Sequence, residues 1–453
     1  MNLKSIHSVY FVGIGGIGMS ALARYFKFNN KNVAGYDKTK TEITNGLEAL
    51  GIQVSTIDNV AGISETYLNK ENTIIIYTPA VPNSHAELSY FRENGFNIYK
   101  RAEVLGLITK DTFCLGVAGT HGKTTTSSIL GHLLAESGVN VTAFLGGIAE
   151  NYNSNLILKG NEITVVEADE FDRSFLQLSP DIACITSTDA DHLDIYGEKE
   201  ALLDSFIEFT KCIKPNGKLL VQEDIQLDGI TYGFKETSNY HIKNIHIQNG
   251  AYVFDIVTPL NIIEDIQFNL PGRHNLLNGL VAFAMADIIG TPADRLAKAL
   301  GTFTGVKRRF SYQIKTEDFV FIDDYAHHPT EINALHQAVR EMYPGKKVTA
   351  IFQPHLFSRT KDFADEFAES LAQFDELILL EIYPAREKPI SGITSSWLLD
   401  KIKNDQKQLV VKEELIDHIS SISTDVLLTV GAGDIGAEVI KIKNLFTIET
   451  SES

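Results

Sequence analysis

The feature of this sequence that most constrains the fold is a glycine-rich segment, Gly119-Thr120-His121-Gly122-Lys123-Thr124-Thr125. Residues 113–118 before it form an apolar run typical of a buried strand, and apolar residues recur at helical spacing after it. A glycine turn between a strand and a helix exposes backbone N–H groups that attract phosphate. Lys123 can reach terminal phosphate oxygens, and the hydroxyl of Thr124 or Thr125 can join a Mg²⁺ shell. We therefore predict that this segment binds ATP; the alternative is a tight turn with an incidental lysine.

One position departs from the common phosphate-loop pattern. The pattern Gly-x-x-x-x-Gly-Lys-[Ser/Thr] places a glycine at position 117, where this chain has Val117. Gly116 and Gly119 flank that position instead.

The length, charge and hydropathy narrow the class of protein. A chain of 453 residues suggests about three domains. Its formal net charge of −18 disfavours nucleic acid and anionic membrane as partners. No uninterrupted apolar stretch approaches the roughly 18 residues that span a membrane, and the N-terminal residues lead directly into a strand without a leader pattern. We expect a cytoplasmic protein.

A second glycine turn, Gly13-Ile14-Gly15-Gly16-Ile17-Gly18, lies between a strand at 9–12 and a helical stretch. The next strand ends at Asp37, where an acid binds ribose in dinucleotide folds. A later strand leads into the loop Thr78-Pro79-Ala80. The pattern alone leaves open NAD(P), another phosphorylated ligand, or a purely structural turn. We predict a small parallel sheet for residues 1–106.

Acidic residues follow two further predicted strands. Glu167 comes directly after a strand at 163–166, and Asp189-Ala190-Asp191-His192 follow a strand at 182–186. Because carboxyl ends of parallel strands share one edge of a sheet, we expect both groups beside the phosphate loop, with Glu167 as a Mg²⁺ ligand. The alternatives are a solvated acidic loop and, for His192, a hydrogen-bonded structural role. Alternation between residues 218 and 269 predicts an antiparallel edge.

The rest of the chain predicts a second doubly wound sheet. Before it, Asn275 lies at the start of a helix, where it suits either an N-cap or a nucleotide-base contact. Within it, His327 and His328 follow a strand and either contact substrate or cap the next helix, which begins near Pro329.

Seven motifs occur in order along the chain: Gly-Ile-Gly-Gly-Ile-Gly-Met-Ser from Gly13, Gly-Thr-His-Gly-Lys-Thr-Thr-Thr from Gly119, Glu-Ala-Asp-Glu from Glu167, Asp-His-Leu-Asp from Asp191, Gly-Arg-His-Asn from Gly272, Arg-Arg-Phe from Arg308 and Asp-Asp-Tyr-Ala-His-His-Pro-Thr-Glu from Asp323. Together they resemble the ATP-dependent Mur ligases of peptidoglycan synthesis. The resemblance covers essentially the whole chain.

The resemblance implies an α/β fold of three domains. Residues 1–106 would form a Rossmann-like parallel sheet that binds a UDP-sugar. Residues 107–308 would form a P-loop ATPase-like, mostly parallel sheet with an antiparallel edge that binds ATP and metal. Residues 309–453 would form a Rossmann-like sheet that closes over them with amino-acid contacts.

The implied reaction joins L-alanine to the lactyl carboxylate of UDP-N-acetylmuramate through an acyl phosphate, with ATP and Mg²⁺ or Mn²⁺, in a monomer or homodimer. The alternative functions are a recycling ligase that joins a murein tripeptide to the same UDP-sugar, an NAD(P)-dependent dehydrogenase, and a nucleotide-dependent switch.

The resemblance also implies roles for residues. It places the ATP site at Gly119, Thr120, His121, Gly122, Lys123, Thr124, Thr125, His274, Asn275, Asn278, Arg309 and Asp324. It places the UDP-sugar site at Gly13, Gly15, Gly16, Ile17, Gly18, Asp37, Thr78, Pro79 and Ala80. Contacts to the amino acid or carboxylate fall on Tyr325, His327, His355 and Arg359, and metal ligation falls on Thr124, Glu167 and His192. Candidate catalytic residues are Lys123, Arg309, His327 and His328, where either histidine could deprotonate the amine. Leu356 stands where the family leads us to expect arginine, so Arg359 is the nearer match.

Overall fold

The structure is a computed structural model that describes residues 3–189, 199–385 and 387–449. It contains three β-sheets of five, ten and six strands with helices between them, as the predicted α/β class requires. The described residues divide into two compact units: Met1–His246, Val253–Phe268 and Leu277–Thr304 in the first, and Ile247–Tyr252, Asn269–Leu276 and Gly305–Ser453 in the second. Among the described residues, none of the helices combines the length and apolar character of a transmembrane segment.

The first sheet has the order β3-β2-β1-β4-β5, and all of its pairings are parallel. Its strands are β1 Ser8–Val12, β2 Asn32–Tyr36, β3 Gln53–Ser55, β4 Thr73–Tyr77 and β5 Asn97–Lys100. Its helices are α1 Ile17–Phe28, α2 Glu42–Glu48, α3 Ala86–Glu93 and α4 Arg101–Lys110. The strand order reverses between β1 and β4, and open parallel sheets bind ligands outside the strand ends at such a point.

The second sheet has the order β15-β14-β13-β12-β11-β10-β6-β9-β7-β8. Its strands are β6 Phe113–Ala118, β7 Val141–Ala149, β8 Ser154–Leu158, β9 Ile163–Glu167, β10 Ile182–Ile185, β11 Lys218–Gln222, β12 Ile230–Gly233, β13 Tyr240–Gln248, β14 Ala251–Val257 and β15 Ile262–Phe268. Its helices are α5 Lys123–Glu136, α6 Lys199–Thr210, α7 Arg273–Ile288 and α8 Ala293–Thr302. The central strands β6 and β10 are buried on both faces, which explains their continuous apolar runs.

The pairing directions differ in part from the prediction for residues 218–269. β11 and β12 are parallel to their neighbours, and β12 is parallel to β13, so antiparallel pairing does not begin where the alternation suggested. The Glu223 carboxylate stabilises the turn after β12, because it accepts hydrogen bonds from Phe234 N, Lys235 N and Ser238 Oγ. Antiparallel pairing does occur at the opposite edge, between β7 and β8.

The third sheet has the order β16-β17-β21-β18-β19-β20 and is parallel except for the edge pair β16–β17. Its strands are β16 Ser311–Lys315, β17 Val320–Asp324, β18 Val348–Phe352, β19 Glu376–Leu379, β20 Lys407–Leu409 and β21 Val426–Val430. Its helices are α9 Pro329–Met342, α10 Phe357–Asp362, α11 Ala364–Leu371, α12 Ser395–Lys401, α13 Leu415–Ile419 and α14 Val439–Glu449. The apolar faces of α9 and α11 pack on one side of this sheet and form its core.

Candidate functional site

The phosphate loop follows β6, between the ends of β9 and β10. Gly119 has φ +128° and Gly122 has φ +84°, a region that L-residues rarely adopt. Space also requires glycine, because a Cβ atom at Gly119 would lie 2.2 Å from Thr186 Oγ1 and one at Gly122 would lie 2.6 Å from Asn278 Oδ1. The loop therefore depends on glycine at both positions.

The off-pattern Val117 has a structural explanation. It is fully buried in β6 and pairs with Glu167 on one side and Cys184 on the other. β6 continues to Ala118, so the turn begins only at Gly119. A glycine at position 117 is not required for this turn.

Hydrogen bonds of Thr120 and His121 hold the loop to the end of β10. Thr120 N donates to Ser187 O at 3.0 Å, and Thr186 Oγ1 donates to His121 O at 2.5 Å. The helix α5 begins at Lys123 with Gly122 as its N-cap. Because glycine has no side chain that could cap the first-turn amides, these N–H groups stay available to an anion.

Lys123 is held by a carboxylate that the sequence did not single out. Its Nζ lies 2.8 Å from both oxygens of Glu170, a side chain with no exposed surface, and donates to Gly119 O at 2.6 Å. Burial lowers the pKa of Lys123, but the carboxylates of Glu170, Asp169 and Glu167 outweigh it and hold that pKa above its ordinary value. The ammonium is therefore charged and sits at the loop.

Glu167 is the last residue of β9, beside the phosphate loop, as predicted. Its Oε1 accepts a 3.4 Å hydrogen bond from Ser127 Oγ on α5. Gly146 on the neighbouring β7 leaves space for this carboxylate, because a Cβ atom there would lie 2.0 Å from Glu167 Oε2.

The donor set at this strand end fits Mg²⁺. The described residues hold no cluster of three or more His, Cys, Asp or Glu side chains able to bind a metal, and His192 lies outside them. Mg²⁺ is ordinarily held by one or two carboxylates together with water and substrate phosphate, so a carboxylate beside a phosphate loop suits it.

The N-terminal glycine turn lies at the switch point between β1 and β4. Gly15 N donates to Asp37 Oδ2 at 2.7 Å, so this carboxylate holds the turn itself. A Cβ atom at Gly13, which has φ +90°, would lie 2.6 Å from Thr78 Cγ2, so the loop containing Pro79 and Ala80 lies near the turn. The structure thus brings together the predicted UDP-sugar residues.

The first turn of α1 is tied to the second sheet. Asn155 on β8 is buried, and its Nδ2 donates to Ile17 O at 2.5 Å and to Ser20 Oγ at 2.8 Å. The glycine turn and the acids at the end of β9 also line one cavity of about 350 Å³, whose wall includes Gly16, Gly18, Thr78, Arg101, Glu167 and Asp169. One cavity therefore contacts both predicted sites of the first unit.

The predicted nucleotide residues of α7 are divided between the two compact units. Asn278 belongs to the first unit, and its Oδ1 accepts from Thr126 Oγ1 of α5 at 3.1 Å. His274 and Asn275 fall in the second unit. Asn275 lies inside the first turn, because α7 begins at Arg273, and its Nδ2 donates to Pro271 O at 2.7 Å. It therefore does not occupy the N-cap position.

In the second unit, Asp324 ends β17 and organises the turn after it. Its carboxylate accepts from Phe310 N at 2.6 Å and from Ala326 N at 2.7 Å. Burial raises the pKa of Asp324 to about 6, although Arg309 opposes the rise. The guanidinium of Arg309 lies 5.0 Å from the centre of the Tyr325 ring and 3.8 Å from Glu331 Oε1.

The two histidines after β17 differ in their surroundings. His328 is buried, is the N-cap of α9, and accepts from Thr330 N through Nδ1. His327 Nδ1 lies 3.0 Å from Tyr325 O and 3.2 Å from Glu331 Oε2. This arrangement favours the capping role for His328.

His355 and Arg359 follow β18, close to His327. The His327 and His355 rings are 6.0 Å apart, and Arg359 Nη1 lies 3.4 Å from His355 Nδ1. Burial, with the charges of His327 and Arg359, lowers the pKa of His355 to about 4. Leu356 has φ +72° at the start of α10. His355 is therefore neutral near pH 7, and Tyr325, which lies next to His327, belongs to the same cluster.

Three contacts at these sites were missed from the sequence: Glu170 with Lys123, Gly146 with Glu167, and Arg101 with the glycine turn. Glu170 carried a signal, because it lies in the acidic run after β9. Gly146 and Arg101 carried none, since nothing local to either residue indicates its partner.

Comparison with known proteins identifies the family of the chain. Three family models match in succession: the Mur ligase family catalytic domain at residues 8–112, the Mur ligase middle domain at residues 117–286, and the Mur ligase glutamate ligase domain at residues 308–433. A UDP-N-acetylmuramate–L-alanine ligase from Flavobacterium psychrophilum is 62% identical over 98% of this chain and 99% of its own length.

Two solved structures extend the comparison to the fold. The UDP-N-acetylmuramate–alanine ligase MurC of Thermotoga maritima superposes with a TM-score of 0.83 at 29% identity, over 98% of this chain and 99% of its own. A murein peptide ligase of Psychrobacter arcticus gives 0.67 at 20% identity, over 97% and 98%, which shows a shared fold alone. On the sequence and domain matches, the chain belongs to the Mur ligase family.

Proposed function

We propose that this chain joins L-alanine to the lactyl carboxylate of UDP-N-acetylmuramate, with ATP converted to ADP and phosphate. The observation that carries the proposal is the cavity shared by Gly16, Gly18, Glu167 and Asp169, which connects a UDP-sugar turn to the phosphate-transfer edge of the second sheet. A relative 62% identical over 98% of this chain is named for the same reaction. Two murein peptide ligases of known structure match at 20% and 24% identity.

ATP is needed because a carboxylate and an amine do not condense usefully at neutral pH. The ATP phosphates bind the loop amides and the start of α5, and the lactyl carboxylate attacks the γ-phosphorus to form an acyl phosphate and ADP. Lys123, charged at the loop, offsets the negative charge that spreads over the transferred group. To reach the phosphate, the Lys123 ammonium exchanges contacts with Glu170 or the loop carbonyls.

Glu167, with Thr124 and His192 as further candidates, would hold Mg²⁺. The ion would supply positive charge to phosphate oxygens during transfer. Asn278 positions the start of α5 through Thr126, and His121 lies 3.9 Å from Asp189 at the same edge.

The UDP-sugar binds at the switch point of the first sheet. The diphosphate lies against Gly16, Ile17 and Gly18, where Gly16 as N-cap leaves the first-turn amides of α1 uncapped by a side chain. Asp37 holds the turn in shape through Gly15 N. The buried Asn155 then keeps this turn in place on the second sheet.

The third sheet supplies the amino-acid side of the reaction. The amine of L-alanine must lose a proton before it attacks the acyl carbon and expels phosphate. We assign that proton to His327 Nε2, because Nδ1 faces Tyr325 O and Glu331, and a neighbouring carboxylate stabilises an imidazolium. Arg359 and neutral His355 are the candidates for the alanine carboxylate. Arg309 and Asp324 serve the nucleotide.

We also propose the domain boundaries 1–106, 107–308 and 309–453, each with one of the three sheets. A cytoplasmic location, Mn²⁺ as a substitute for Mg²⁺, and a monomer or homodimer remain part of the same proposal.

The decisive experiment measures phosphate release from ATP with UDP-N-acetylmuramate, with and without L-alanine. Release should depend on L-alanine and proceed far more slowly with a murein tripeptide. A preference for the tripeptide would reassign the chain to recycling, and release indifferent to any amine would reassign it to a nucleotide switch. A Lys123→Met/Glu170→Gln double variant should bind the UDP-sugar but release no phosphate, and turnover by this variant would refute the role of Lys123.

A further inference from the structure

The cavity of about 350 Å³ in the first unit is lined by acidic side chains and by the N-terminal glycine turn. Glu167 and Asp169 supply carboxylates on the side of the second sheet, and Gly16 and Gly18 supply the turn of the first. Arg101, the first residue of α4, also lines the cavity. None of the sequence motifs includes this arginine.

The guanidinium of Arg101 lies directly against the glycine turn. A Cβ atom at Gly18 would be 2.9 Å from both Cδ and Nη1 of Arg101. Any side chain at position 18 would therefore displace the arginine. Gly16, Gly18 and Arg101 line the same cavity, so the turn and the guanidinium form one surface.

Arg101 has no counter-ion within the described part of the chain. Its side chain is partly buried and makes no hydrogen bond or ion pair there. Two other cations of the described residues do have carboxylate partners, because Lys123 lies 2.8 Å from Glu170 and Arg308 lies 3.1 Å from Asp323. A half-buried cation that has no partner and lines a cavity can bind an anion there.

We propose that Arg101 binds the diphosphate of the UDP-sugar and so fixes which ligands the glycine turn accepts. The inference rests on the proposed function for the identity of the ligand. A planar guanidinium donates two parallel hydrogen bonds to phosphate oxygens, and the turn amides contact the same group from the other side. Arg101 therefore selects a diphosphate over a neutral sugar.

The lactyl carboxylate is the other anion of the substrate, and it suits Arg101 less well. This carboxylate is the nucleophile towards the γ-phosphate, and two hydrogen bonds from a guanidinium would withdraw charge from it. It also has to reach the edge that carries Glu167, whereas Arg101 lies against Gly18 of the glycine turn. The diphosphate, which does not react, has no such conflict.

The test is calorimetric binding to the full chain of UDP-N-acetylglucosamine, which has the diphosphate but no lactyl carboxylate, and of UDP-N-acetylmuramate. Arg101→Ala should weaken both by about 10- to 100-fold, as expected when a charge-assisted hydrogen-bond pair is lost. Arg101→Lys should restore part of the affinity, because it keeps the charge without the fork. Lys110→Ala, which removes a positive charge from the exposed end of the same helix, should bind both sugars like the wild type.

Equal binding by Arg101→Ala and wild type would overturn the inference while the proposed function stands. Loss confined to UDP-N-acetylmuramate would move Arg101 to the lactyl carboxylate and overturn the diphosphate assignment. A wild-type chain that binds neither sugar would refute the proposed function itself. ATP binding, measured in parallel, should be unchanged in Arg101→Ala and shows that the variant is folded.

Discussion

Gly146→Ala tests whether the space beside Glu167 matters for catalysis. The new Cβ atom would lie 2.0 Å from Glu167 Oε2, whereas ordinary contact begins at 3.4 Å, so the carboxylate must retreat by about 1.4 Å. Phe144 on β7 pairs with Val166 on β9, which restrains both backbones and leaves the shift to the Glu167 side chain. Because overpacking of this kind costs about 1–3 kcal/mol, we expect the variant to fold.

The expected functional effect is larger than the effect on stability. Displacement of a catalytic group by about 1 Å lowers turnover roughly 100-fold. We therefore expect kcat to fall by about that factor and the Mg²⁺ concentration at half-maximal rate to rise, with the KM for L-alanine little changed. Steady-state phosphate release over a Mg²⁺ titration measures both quantities, and urea denaturation measures the loss of stability.

Gly62→Ala is the matched control, because a Cβ atom there meets nothing within 4 Å. It should match the wild type in rate and in Mg²⁺ dependence. If Gly146→Ala keeps kcat and Mg²⁺ half-saturation within about two-fold of the wild type while it is folded, Glu167 is not a group whose position limits the reaction.

Three further predictions concern buried polar groups. Lys123→Met leaves the fully buried Glu170 without its ammonium partner and should lower the free energy of unfolding by about 3 kcal/mol; adding Glu170→Gln should recover most of it, and urea denaturation that shows no recovery would contradict the pairing. The pKa of His355 is lowered from 6.5 to about 4, so its contribution to stability is present above pH 6.5 and is lost as the pH falls towards 4. Between pH 7 and pH 5, His355→Phe should therefore lose less stability than the wild type, and an equal loss would refute the assignment. His328→Ala removes the acceptor of Thr330 N and should cost about 1 kcal/mol in denaturation without moving the pH profile of kcat, whereas a shifted profile would make His328 a catalytic base.

The local elements of the sites could be read from the sequence. Both glycine turns, the helices after them and the strand that delivers Glu167 are short-range features, set by backbone conformations that glycine allows and by apolar periodicity. The common edge for the ends of β6, β9 and β10 followed from parallel-sheet geometry. His328 as the cap of α9 was an open alternative, and the structure favours it.

Which residues contact one another across these sites was decided by the tertiary structure alone. Glu170 lies 47 residues from Lys123, and the contacts of Gly146 with Glu167 and of Arg101 with Gly18 likewise join separate elements. The strand order places β7 beside β9. The packing of α4 against the glycine turn brings Arg101 to a cavity whose acids come from another sheet. Sequence patterns report the conformation of neighbouring residues, whereas a charge pair or a close approach depends on how elements pack after the chain has folded.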